Sequence, residues 1–255
     1  MDNPIVYEQP LNERIRTYLR LEHLFRKAAY TLRGFSVWDS RATIDSLIDI
    51  LEIVSRGELK AEILKELDRL YGALSRLKDM AGVDRDQLNT ILSQLDATQK
   101  ELHGLQGQPG QRVRDNELLS SLRQRSTITA GNCSFDMPGY HYWLQQDPEI
   151  RIAKLEEWYN ELDAIHKPIS LILGIIREAS DARAVSAEKG FYQQSLDSQT
   201  PVQMLRVTVD GKLNCYPEIS GGKHRFSIRF VQPGDSGRPV QVDDTVNFEL
   251  TCCTL

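Results

Sequence analysis

Cysteine is scarce in this chain of 255 residues, with Cys133, Cys215, Cys252 and Cys253 the full set. So few thiols do not make a disulfide framework. They read as small buried groups of a reduced, cytosolic protein. Cys252 and Cys253 are adjacent, so on a strand they face opposite sides and are poorly placed to share an ion. No Cys-x-x-Cys pair accompanies them, and the five histidines are scattered without ligand spacing. No metal or other cofactor is therefore expected. Long apolar runs are missing too. The longest, ISLILGII at 169–176, is far too short to cross a bilayer, so no membrane partner is expected. The opening MDNPIVYEQPL lacks the basic and apolar regions of a secretory signal. There is no Walker loop, no glycine-rich dinucleotide turn and no HExxH. GDSGRP at 234–239 looks like the nucleophile loop of chymotrypsin-like proteases, but those are double β-barrels with an oriented His and a buried Asp. Here most upstream sequence is helical and Arg238 stands where that family has glycine, so the segment reads as a turn. Asn132-Cys133-Ser134 fits a glycosylation triplet, which means nothing in a cytosolic protein. No enzyme is expected. Excess positive charge is also absent: the net charge is -5, which argues against a general nucleic-acid binder.

What the chain does contain is periodicity of two kinds. Residues 10–181 read mostly as helix. Leu11, Ile15, Tyr18, Leu19 and Phe25 trace one apolar stripe, and Ile44, Leu47, Ile48 and Leu51 a second. Ile63, Leu67, Leu70, Leu74 and Leu77 alternate at four and three, a seam like that of a coiled coil. Leu88, Leu92, Leu95 and Leu102 follow after Gly82, which predicts a long antiparallel helix pair. The Ile63–Leu77 seam is also expected to expose a stripe for dimerisation. GQPGQ at 107–111 breaks the pattern and a short helix, DNELLSSLRQR, follows. Asp136 and Asp147 then open helices beside Pro138 and Pro148. A buried helix is expected from about Pro168 to Ser180. After residue 182 short alternating runs take over. MLRVTVDGKLNCY predicts a hairpin closed by Asp210-Gly211, HRFSIRF and VNFELTC predict further strands, and residues 4–9 another. The fold class expected is α+β: a helical domain over 1–181, then a small, mainly antiparallel β-sheet domain over 182–255.

One strand stands out. In ISGGKHRFSIRF, His224, Phe226, Ile228 and Phe230 point one way, and Lys223, Arg225, Ser227 and Arg229 the other. If the C-terminal strands form one sheet, Arg206, Asp210 and Glu249 join that face, giving four cations against two acids. Like charges about 7 Å apart repel by only about 0.6 kcal/mol in water, so an exposed face tolerates them. Such a face either discourages edge aggregation or receives an anion. Arg16, Arg20, His23 and Lys27 share a second stripe on the first helix. Arg123 and Arg125 end a helix, where cations complement the dipole. An extended acidic peptide with an apolar anchor fits these features. A nucleic acid stacked on Phe226 or Phe230, or another acidic partner, are the alternatives.

Longer blocks carry a resemblance. PLNERIRTYLRLEHLF, RGELKAEILKELDR, RQRSTITAGNCSFDMPGYHYWL, GFYQ, YPEISGGKHRFSIRF and FELTCC resemble, in order and over essentially the whole chain, the ZapD (YacF) family of bacterial cell-division proteins. The resemblance implies a cytosolic, non-enzymatic homodimer with a helical and a β-rich domain. It implies binding to the C-terminal tail of FtsZ, the tubulin-like division GTPase, and bundling of its filaments at the division ring. It carries binding over to Arg225 and Arg229 on the strand, and a bundling role to Arg16, Arg20 and His141 in the helical part. Lys223, Arg123 and Arg125 join them on charge and location. Glu117 stands where other members can carry a basic residue.

Overall fold

The computed structural model describes residues 3–55, 57–78, 80, 82–125, 127–197, 199–222, 224–234 and 237–255. The chain divides into two compact units, residues 1–19 with 173–255, and residues 20–172. The fold class is α+β, with helices in the N-terminal part and antiparallel sheets towards the C-terminus. Among the described residues the strands are β1 (Pro4–Pro10), β2 (Arg183–Ala187), β3 (Phe191–Ser195), β4 (Met204–Asp210), β5 (Tyr216–Gly221), β6 (Arg225–Gln232), β7 (Val240–Gln241) and β8 (Val246–Cys253).

These strands form two sheets rather than the single sheet expected. One runs β1-β4-β8-β2. The other runs β3-β6-β5, with β7 beside β6. Period-two alternation gives each sheet one apolar face, and the two faces share a core. Leu205, Val207, Val209, Phe248 and Leu250 come from the first sheet, and Phe226, Ile228 and Phe230 from the second. Phe230 and Phe248 meet across it at 5.2 Å between ring centroids, and Tyr192 lies edge-on to Phe248 at 5.7 Å. Each such side chain contributes about 2 kcal/mol by burial.

The expected hairpin over MLRVTVDGKLNCY is corrected by the same topology. The turn itself forms: Leu213 N donates to Asp210 O at 3.0 Å, and Lys212 N to the Asp210 carboxylate at 3.0 Å. The chain then crosses to the other sheet, because both edges of β4 are already taken. β1 pairs it from Pro4 opposite Asp210 to Pro10 opposite Met204, and β8 pairs the other side. The corner between β2 and β3 needs Gly190, whose φ is +65°. A side chain there would meet Val242 O at 2.5 Å, too close for any residue but glycine. Gly234, Gly237 and Arg238 form a turn, while Asp235 and Ser236 lie outside the described residues.

The helices are α1 (Glu13–Thr31), α2 (Val37–Val54), α3 (Leu59–Ser75), α4 (Arg85–Gly104), α5 (Gln111–Arg114), α6 (Glu117–Arg125), α7 (Pro138–Leu144), α8 (Pro148–Asn160) and α9 (Asp163–Glu178) among the described residues. α2 starts in a capping box. Ser36 Oγ accepts from Asp39 N at 3.1 Å, and the Asp39 carboxylate accepts from Ser36 N at 3.1 Å. α3 and α4 form the antiparallel pair: Lys60 Nζ donates to Leu105 O at 2.8 Å and Gln99 Nε2 to Asp68 Oδ1 at 2.6 Å. Ile63, Leu67, Leu70 and Leu74 are buried within the single chain, as are Leu88, Leu92, Leu95 and Leu102. The expected open stripe is therefore corrected from Ile63 to Leu74, where the seam is filled intramolecularly, while Leu77 at its end is half-buried.

Three smaller expectations also change. On α1 the buried set is Ile15, Tyr18, Leu21, Phe25 and Ala28, with Leu19 half-buried. α9 begins at Asp163, so Pro168 lies inside it. Met137, not Asp136, precedes α7, and Asp136 pairs with Arg125 at 3.5 Å.

Candidate functional site

The outer face of the β3-β6-β5 sheet holds the two arginines that sequence alternation singled out. β6 buries Phe226, Ile228 and Phe230 and leaves Arg225 and Arg229 exposed. Four residues along a strand separate the two by about 13 Å. His224 is corrected: it precedes the strand and is exposed, outside the apolar row. Lys223 lies outside the described residues.

Cross-strand register decides what stands beside each arginine. Arg229 is opposite Glu218 on β5 and Phe191 on β3. Glu218 Oε2 accepts from Arg229 Nε at 3.2 Å and from its Nη2 as well. Side-chain exposures of 52% and 42% make this a solvent-screened pair, worth well under about 1 kcal/mol. Arg225 is opposite Ser195 and makes no ion pair with the described residues. It borders a depression of about 340 Å³ lined by Gln193, Ser220, Gly221, Gly222, Phe226 and Ser227. Ser227 lies between the two arginines, with Gln193 and Ser220 flanking it. Phe191 is 45% exposed. The face thus offers one open guanidinium, one already engaged, an aromatic ring, and small polar side chains between them. Its geometry suits an extended chain carrying carboxylates.

The summed charge expected for this face is corrected. Arg206, Asp210 and Glu249 belong to the other sheet. Arg206 is also neutralised, since its Nε donates to Glu8 Oε1 at 3.1 Å. Glu8 is gripped in addition by Arg177 through two bonds of 2.8 Å. Register is a non-local property, so neither Glu218 nor Phe191 was legible as a neighbour of Arg229 in the sequence.

The remaining candidates lie on helices. Arg16, in the first unit, pairs with Glu13 at 3.3 Å. Arg20, His23 and Lys27, in the second, are exposed on α1. Arg123 and Arg125 are half-buried on α6. Arg125 lines a groove of about 610 Å³ with Glu117, Asp136, Tyr142 and Trp143. His141 is exposed on α7 and is not part of that groove's lining. Burial raises the Cys253 thiol to about 11 and pushes Cys215 and Cys252 up too, so all three stay protonated and unreactive near neutrality. Among the described residues no three His, Cys, Asp or Glu side chains gather as metal ligands. No described helix is long and apolar enough to cross a membrane.

Full-length relatives share this sequence. A family model described as ZapD, cell division protein, matches residues 19–229. A cell division protein ZapD of Methylococcus capsulatus is 44% identical over 255 residues, all of both chains. One of Nitrosomonas eutropha is 38% identical over 98% of this chain and 100% of its own, and one of Bordetella petrii 36% over 98% and 99%. The class is therefore that of cell-division proteins. This chain belongs to the ZapD family.

Proposed function

We propose that the chain is a non-enzymatic division factor that binds the C-terminal tail of FtsZ on the outer face of the β3-β6-β5 sheet. Arg225 carries this reading: it is an exposed guanidinium without an ion pair among the described residues, four positions from Arg229 on one strand. Carboxylates of an extended peptide would meet these groups in charge-assisted hydrogen bonds. Lys223 would add to the same site. Phe191 would supply the apolar contact.

A monomer with one such site decorates a filament. A two-fold homodimer presents two sites and joins two filaments. Many tails on one polymer turn weak single contacts into strong attachment. The dimer contact is assigned to the helical region and a role in bundling to Arg16, Arg20 and His141, while Arg123 and Arg125 are added as partner-binding residues on charge and location. The place of action is the cytoplasm, at the division ring. No nucleic acid, metal or other cofactor enters this reading.

Co-sedimentation with FtsZ polymers tests it. The chain should pellet with polymers that carry the tail and stay in solution with polymers that lack it. Arg225→Glu combined with Arg229→Glu should weaken tail-peptide binding at least about tenfold, which is about 1.4 kcal/mol, with the fold retained. Pelleting that ignores the tail would refute the proposal.

A further inference from the structure

Resting on that reading of the face, we infer that Glu218 is a built-in competitor for the peptide site, which an incoming carboxylate must displace from Arg229. The two arginines look alike in sequence, but the sheet treats them differently. Arg225 stands opposite Ser195, whose hydroxyl carries no charge. Arg229 stands opposite Glu218, and its Nε and Nη2 both donate to one carboxylate oxygen. Those are the hydrogens that a bidentate ligand carboxylate would use. The chain therefore already places its own carboxylate where the partner's would sit.

The exposure of the pair makes exchange feasible. Both side chains are about half open to solvent, and such pairs are weak because water and salt screen them. A ligand with a single carboxylate gains little at Arg229, since it only replaces an equivalent bond. It would settle at Arg225 instead. A ligand with acidic groups on both sides of Ser227 first anchors at Arg225. It then competes for Arg229 at high local concentration. Glu218 thus confines a single acid to Arg225 and weakens, without abolishing, the second contact that a peptide with two spaced acids makes at Arg229. Counting Glu218 with Arg225 and Arg229 lowers the net charge of this stretch from +2 to +1.

The test is a double-mutant cycle read by titration with two synthetic peptides, the FtsZ tail and a short peptide carrying two glutamates spaced four apart. Glu218→Gln keeps shape and hydrogen bonding but removes the competing charge. It should tighten binding of both peptides about threefold, the scale set by an exposed ion pair. In an Arg229→Gln background the same change should have little effect. Glu249→Gln, the same charge change on the other sheet, should shift affinity less than Glu218→Gln and equally in both backgrounds. The inference falls if Glu218→Gln weakens or does not alter binding, since Glu218 would then orient Arg229 or do nothing. It falls as well if Glu249→Gln matches it, since bulk charge would then suffice. Failure of the parent chain to bind either peptide would remove the peptide-face reading itself, and the inference with it.

Discussion

Arg206 Nε donates to Glu8 Oε1 at 3.1 Å, tying a strand of the C-terminal half to one that begins at the fourth residue. Arg177 holds the same carboxylate through two further bonds. All three side chains are less than a third exposed. Glu8→Ala removes the carboxylate that two guanidinia share and should cost about 2 kcal/mol, less than the figure for a fully buried pair because water still reaches the group. Glu8→Gln, which keeps an acceptor, should cost less. Urea unfolding of both variants checks the order.

Arg151 is buried on α8 and serves the α1–α2 connection. It donates to Phe35 O at 2.9 Å, Ser36 O at 3.3 Å, Ser40 Oγ at 2.7 Å and Gln146 O at 3.1 Å. Arg151→Met removes this donor from Phe35 O, Ser40 Oγ and Gln146 O, while Ser36 O keeps Ser40 N at 3.2 Å, and should lower stability by about 3 kcal/mol. Arg151→Lys should recover little, because an ammonium cannot span four acceptors in this fork. Thermal melts of the two variants should nearly coincide.

His166 packs on the Phe25 ring at 4.4 Å and near Tyr159 at 6.0 Å. Burial lowers its pKa, with Asp163 and Glu22 opposing and Lys167 assisting. The unfolded chain, at the ordinary value near 6.5, therefore takes up the proton before the folded one. Stability should fall as the pH drops through about 6.5, and this loss should stop growing below the depressed native value. His166→Gln should flatten that part of the curve. An unchanged slope between pH 7 and pH 5 would place its origin elsewhere.

Phe191 is an exposed ring next to Arg229 on an edge strand. If the tail peptide lays an apolar side chain on it, Phe191→Ala should weaken binding about fivefold and Phe191→Leu distinctly less, while the melting temperature barely moves. Isothermal titration with the tail peptide separates the two variants. Equal affinities for parent and Phe191→Ala would move the apolar contact off this ring.

The sequence by itself determined the class of each segment, because helix and strand periodicity are local. The leucine spacing of α3 and α4 specified a helix pair, Pro148 a helix start, and the alternation around Phe226 and Phe230 the buried and exposed faces of β6. It also placed Arg225 and Arg229 on that exposed face, since strand neighbours two apart cannot do otherwise. The tertiary structure alone decided who stands opposite whom. Asp210-Gly211 makes the same turn in a hairpin as in a crossover, and only the occupation of both β4 edges by β1 and β8 sends the chain to a second sheet. That choice removed Arg206 from the cationic face, handed it to Glu8, and set Glu218 against Arg229. Nor does the pattern of α8 separate buried Arg151 from a solvent-facing cation. Pairing and burial of this kind depend on contacts between residues far apart in the chain, and no local spacing encodes them.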